Sequence, residues 1–166
     1  MAEKFGGSSK ALHWTVSVLV LLMLYGGATL SRETATWHFG FGIITLIVMV
    51  FWLGHRMTHP RPAPLPMPRW QQIASKSVHH LLTLAVTLQP ILGLMMVMFS
   101  KRDPVAFGVI PLKIVQNDTI YAIGHELHGP NALLIAILVA LHIGGALYHQ
   151  FILKDGGLTR MLPGKR

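Results

Sequence analysis

The chain has 166 residues, about the length of one domain, but 52% of them are hydrophobic and only 12% charged. That excludes an ordinary soluble fold, because the surplus apolar surface must face something other than water. The net charge of +8 is spread over loops and tails with no aromatic-rich soluble domain beside it, which argues against a nucleic-acid partner, and the absence of cysteine excludes disulfides, thiolate chemistry and thioether-linked cofactors.

Charge-free runs occupy Ala11 to Leu30, Ala35 to Gly54, Ser77 to Ser100 and Leu127 to Leu153. Each reaches or nearly reaches the ~20 residues needed to cross a bilayer. They are apolar almost all the way round, whereas the helices of a soluble bundle carry a polar stripe. The expected fold is therefore an all-α integral membrane protein, a four-transmembrane-helix bundle built as one membrane domain over residues 1–166. Helix one is expected over about 9–30. Lys4 and Lys10 precede it as in a signal sequence, but no small-residue cleavage site follows, so it is read as a retained span. A short outer turn around "SRETAT" leads to helix two over about 36–55. The inner loop, residues 56–74, places Pro60, Pro62, Pro64, Pro66 and Pro68 at alternate positions and reads as an extended, polyproline-like strap. Helix three, about 75–99, contains Pro90, which should free a backbone carbonyl and bend it. An outer loop over 100–120 mixes apolar residues with Lys101, Arg102 and Lys113 and is expected to pack as a cap. Helix four is expected over about 121–153.

With both termini cytoplasmic, ten basic residues (Lys4, Lys10, Arg56, Arg61, Arg69, Lys76, Lys154, Arg160, Lys165 and Arg166) lie inside and four (Arg32, Lys101, Arg102 and Lys113) outside. This satisfies the positive-inside rule. The expected location is the inner (cytoplasmic) membrane of a bacterium, as a multi-pass protein.

Ten histidines are a surplus for such a chain. His55 and His59 fall beside the basic inner loop, where a solvated role is expected. The others lie in or at the ends of the spans, where polar side chains are expensive and usually face the bundle interior with a partner. From His128 to His142 is roughly 21 Å of helix, nearly four whole turns, so the two imidazoles share one stripe at opposite membrane levels. His13 begins helix one at the inner level, and His38 begins helix two at the outer level. Depth alone pairs His13 with His142 and His38 with His128. Two imidazoles at one level, without carboxylate or thiolate help, suit bis-histidine haem iron; a zinc site is the competing reading and would want four such ligands. Gly26 and Gly27 on the stripe of His13, and Gly144 and Gly145 beside His142, provide small residues where a flat macrocycle needs room.

The residues resemble the bacterial di-haem cytochrome b561 family, with its superoxide oxidase-like members. The resemblance rests on "LHW" at 12–14, "WHFGFGIITLIVMVFW" in helix two, "HLLTLAVTLQPILGLMM" in helix three, "RDPVAFGVIP" in the outer loop and "LHIGGALYHQFILKDGGLTRMLP" at the end. It implies two haem b groups, the inner one ligated by His13 and His142 and the outer one by His38 and His128. Gly129 and Pro130 directly follow His128, so helix four is kinked there or begins only there, and His125 is an alternative ligand. His79 and His149 are candidate contacts to haem propionates or quinone.

The resemblance implies transmembrane electron transfer from an outer donor, superoxide among the candidates, to membrane quinone, with ubiquinone as the expected substrate; no catalytic residue is assigned. Lys101, Arg102 and Lys113 would then steer an anionic donor. Two alternatives remain: an electron-transfer subunit docked to a partner dehydrogenase or hydrogenase, and a histidine-lined metal or proton transporter. Both cytochrome readings require a red protein and the transporter a colourless one.

Overall fold

The computed structural model describes residues 4–60 and 62–162, so Arg61, Lys165 and Arg166, counted above on the inner side, lie outside the described residues. Four long helices dominate: α1 (Gly7–Ala28), α2 (Ala35–Thr58), α3 (Arg69–Met98) and α4 (Asp118–Tyr148). A π-helical turn, His149–Leu153, continues α4, and a 3-10 turn follows at Leu158–Arg160. A small antiparallel hairpin, β1 (Val105–Ala106) with β2 (Ile110–Pro111), lies in the outer connection. All four helices are long and apolar enough to cross a membrane.

The limits differ from those expected mainly where polar residues open a helix. α3 begins at Arg69, because "RWQQIASKS" is helical although too polar to be read as part of a span. Pro68, in an extended conformation, precedes its first turn, and the Gln72 side-chain amide donates to the Met67 carbonyl at 2.9 Å. α4 begins at Asp118 behind an Asn117 cap whose side chain accepts the Ile120 N–H at 3.0 Å. It runs unbroken through Pro130 and does not start at His128. The inner connection is correspondingly short, residues 59–68, without regular structure among its described residues.

α1 packs on α2, α2 on α3 and α3 most extensively on α4, whereas α4 barely touches α1 or α2. Midway along the bundle, Val20, Met49, Ala85, Val86 and Ile135 form a buried apolar cluster drawn from all four helices. Outward faces carry Leu21, Phe51, Leu84, Leu133 and Ile137, all exposed, which is tolerable only against lipid.

The hairpin caps the end of the bundle that the distribution of basic residues assigns to the outside, and outer and inner denote the two ends in that sense. Phe107, in a left-handed conformation (φ 52°), donates its N–H to the Thr36 carbonyl at 3.0 Å, and its ring lies over Gly40 where any Cβ would overlap it. Val97, Ala106 and Leu112 form a second buried cluster beneath it.

Close packing of α3 on α4 depends on Gly124, where an added Cβ would stand 2.8 Å from the Leu92 carbonyl oxygen. Backbone cannot yield as a flexible side chain does, so Gly124→Val is expected to lower stability by about 1–3 kcal/mol. Gly54→Val, at a position with nothing within 4 Å, is expected to change it by less than about 0.5 kcal/mol. Thermal unfolding in detergent compares the two.

Candidate functional site

The histidines gather at two levels, one on each side of the mid-bundle cluster. At the outer level the His38 ring, from the start of α2, faces the His128 ring of α4 at 6.4 Å between centres. At the inner level His13 of α1 faces His142 of α4 at 6.1 Å. Each pair therefore bridges two helices that hardly pack on one another.

These separations can be tested against haem. A metal–imidazole bond is about 2 Å, and the ring centre lies about 1 Å beyond the nitrogen, so imidazoles on opposite sides of one ion stand roughly 6 Å apart. Both pairs meet that requirement. The Nδ1 atoms of His38 and His128 are buried without a hydrogen-bond partner, an expensive state for polar atoms in an apolar interior. Between them opens a cavity of about 540 Å³ lined by apolar side chains and by Gly27, Gly42, Thr45 and Gln89, within the usual range for cofactor pockets. Gly26 and Gly27 lie against the His38 ring, where a Cβ would be 3.6 and 3.5 Å from it. The residues at the outer level thus fit a flat, apolar, iron-centred group, and at the inner level the ring spacing fits it. Among the described residues, no cluster of three or more His, Cys, Asp or Glu side chains is disposed to hold a metal ion as a zinc site would require.

His125 is placed elsewhere. Its ring stacks on Tyr121 at 5.8 Å, lies near Glu126, and its side chain is 56% exposed. His79 reaches the inner pair, 4.9 Å from the His142 ring and edge-on. That is closer than opposite ligands of one ion would stand; its Nδ1–H donates to the Ser75 carbonyl at 2.6 Å, which fixes the ring and leaves Nε2 as the nitrogen without a hydrogen. Gly144 and Gly145 are exposed and would meet nothing within 4 Å if given a Cβ, so they do not border the His142 ring as Gly26 and Gly27 border His38.

His149 lies in the π turn with its Nδ1 against the Asp155 carboxylate. The C-terminal segment then folds back over the inner end. Trp14 donates its indole N–H to the Met161 carbonyl at 2.9 Å, and buried Arg160 donates to the Ala63 carbonyl at 2.8 Å. Burial, the largest single influence, pushes the Asp155 carboxyl up, but hydrogen bonds from His149 and the Gly157 N–H, with the charge of His149, together hold it below its ordinary value. A carboxyl depressed in the folded state stabilises the fold above its unfolded pKa and loses that contribution as pH falls through the folded one. The turn at 155–161 is therefore expected to become protease-sensitive on acidification below the ordinary carboxylate range. In Asp155→Asn it should already be sensitive at neutral pH, read by the rate of C-terminal cleavage.

Three contributors went unnoticed in the sequence: Gly93, Gln89 and Asn131. A Cβ at Gly93 would stand 3.1 Å from the His128 ring. Gln89 and Asn131 are the amides next to the two intrahelical prolines, an adjacency visible in the sequence as "QP" and "PN". The outer surface is also less positive than its lysines suggested. Lys101 pairs with Asp118 at 3.5 Å and Lys113 with Asp103 at 2.9 Å, leaving Arg102 without an ion pair among the described residues.

The family model of prokaryotic cytochrome b561 matches residues 4–164. "Cytochrome b561 homolog 1" of Escherichia coli (strain K12) is 30% identical, the match covering 99% of both chains. "Probable superoxide oxidase CybB" of Yersinia pestis is 28% identical over 100% of this chain and 99% of its own. "Cytochrome b561 homolog 2" of Escherichia coli (strain K12) is 27% identical over 96% of this chain and 92% of its own.

Proposed function

This chain belongs to the prokaryotic cytochrome b561 family, and from that premise we propose that it carries electrons across the bacterial inner membrane through two b haems, from superoxide outside to ubiquinone. Membership makes it a multi-pass membrane protein of electron transfer with b-type haem. The further reading assigns His13 and His142 to the inner haem and His38 and His128 to the outer one, with His79 and His149 at the inner level as contacts for propionate or quinone.

The single observation that carries this reading is the pair of inter-ring distances, 6.1 and 6.4 Å, at two heights on either side of one apolar cluster. Haem, when bound, supplies reversible one-electron chemistry at iron. The chain's part is to hold the rings, to keep water out with the mid-bundle cluster and the Phe107 cap, and to leave access at both ends. Two superoxide anions would yield two dioxygen molecules and two electrons; with two protons, these reduce one quinone to quinol. Arg102 and Arg32, both exposed and without an ion pair among the described residues, would attract the anion. The superoxide part draws support from the relative in Yersinia pestis named a probable superoxide oxidase.

The test is stopped-flow mixing of purified protein with superoxide. Haem reduction that reoxidises on adding ubiquinone is the expected result. Haem that superoxide leaves oxidised, but that a co-purifying dehydrogenase or hydrogenase reduces, would replace this donor with a protein partner.

A further inference from the structure

α3 and α4 each contain a proline, and the residues beside these prolines, Gln89 and Asn131, join the two helices next to the outer cavity. Proline has no N–H, so Pro90 leaves the Val86 carbonyl and Pro130 the Glu126 carbonyl without their usual helical donors. In lipid, loosened backbone of this kind must be steadied from within the protein. Two side-chain amides lie at this crossing. Asn131 Nδ2 donates to the Ala85 carbonyl at 2.9 Å and to Gln89 Oε1 at 2.7 Å. Gln89 Nε2 in turn donates to the His128 carbonyl at 3.1 Å.

The orientation of both amides follows from the ends of this chain. Backbone carbonyls only accept, so Gln89 must present its NH2 to His128 and its oxygen to Asn131. Asn131 must then donate to Gln89, as it must to Ala85. Every link agrees with the others, and the last is the backbone of a candidate ligand itself. On the other side, the His128 ring stands against Gly93. Gln89 also lines the cavity between His38 and His128.

We propose that Gln89, braced by Asn131, is a positioning residue for the outer haem: it fixes the His128 backbone beside the proline break and so sets the orientation of that imidazole. This rests on the reading of His128 as an outer ligand. An amide pair that merely joined two helices would have no reason to end on the carbonyl of His128, and its loss would loosen both levels alike. A positioning role confines the effect to one haem, whose potential depends on how its axial ligands are held.

The experiment uses the purified, haem-loaded full chain, with redox titration and low-spin electron paramagnetic resonance of each haem. The signal lost in His38→Ala identifies the outer haem. Gln89→Met, similar in length but without the amide, is expected to shift the outer potential and resonance and to leave the inner ones at wild-type values. Asn131→Leu, which keeps Gln89 but removes its brace, should shift the outer signal in the same sense by less, and decides the matter should Gln89→Met not accumulate. Thr87→Val, which removes only a bond to Thr83 within α3, should shift neither. Equal movement of both haems, or an unmoved outer signal in Gln89→Met or, failing its accumulation, in Asn131→Leu, overturns the brace. An outer haem that survives His128→Ala overturns the ligand assignment and the proposal with it.

Discussion

His38→Ala is expected to remove one haem and keep the other, halving the haem-to-protein ratio of the purified protein. Without cysteine there is no thioether attachment, so the cofactor is held by axial bonds and burial alone. The His38 ring approaches His128 across a cavity whose lining offers few other polar groups, so nothing nearby replaces the lost ligand. His128→Ala should have the same outcome. His13→Ala and His142→Ala should remove the other haem, since their rings meet at the opposite level. His125→Ala should retain both, because its ring is stacked on Tyr121 and largely exposed. Pigment analysis and reduced-minus-oxidised spectra of the five variants decide the assignment; loss of the outer haem in His125→Ala and its survival in His128→Ala would exchange those two residues.

Gly27→Leu is expected to expel the outer haem while leaving the inner one in place. Gly27 borders the cavity, and even a Cβ there would come within 3.5 Å of the His38 ring. The larger side chain must occupy space between His38 and His128, and overpacking of this kind costs about 1–3 kcal/mol. At about 1.4 kcal/mol per tenfold, outer haem affinity should fall roughly five- to hundredfold. Gly144→Leu, at an exposed position with no neighbour within 4 Å, should leave both haems bound. Haem occupancy after dilution in detergent measures the difference, and equal losses in the two variants would show that the glycines act through general stability.

The four spans were legible because membrane burial demands long apolar runs, a constraint strong enough to be read residue by residue. The depth pairing of His13 with His142 and of His38 with His128 was legible for a related reason, since a helix converts residue spacing directly into height. Where polar residues begin a helix, as at Arg69, hydropathy offered no guide, and only the backbone revealed the start. Pro130 left two readings open for α4 because proline can open a helix or interrupt one; the helix continues through it. The amides at Gln89 and Asn131 were overlooked because their importance lies in which carbonyls they reach on another helix, which depends on the crossing of α3 and α4. Charge placement was likewise visible only in part: Lys101 and Lys113 could be counted, but their pairing with Asp118 and Asp103 depends on how the outer loop folds.

The central claim is that two imidazole pairs hold two haems at different depths, and one measurement addresses it most directly: the haem-to-protein ratio and redox titration of the detergent-purified wild-type chain. The account predicts two b haems per chain with separately resolved contributions, one lost with His38 and the other with His13. A colourless preparation, or a single haem lost equally in both variants, would contradict it.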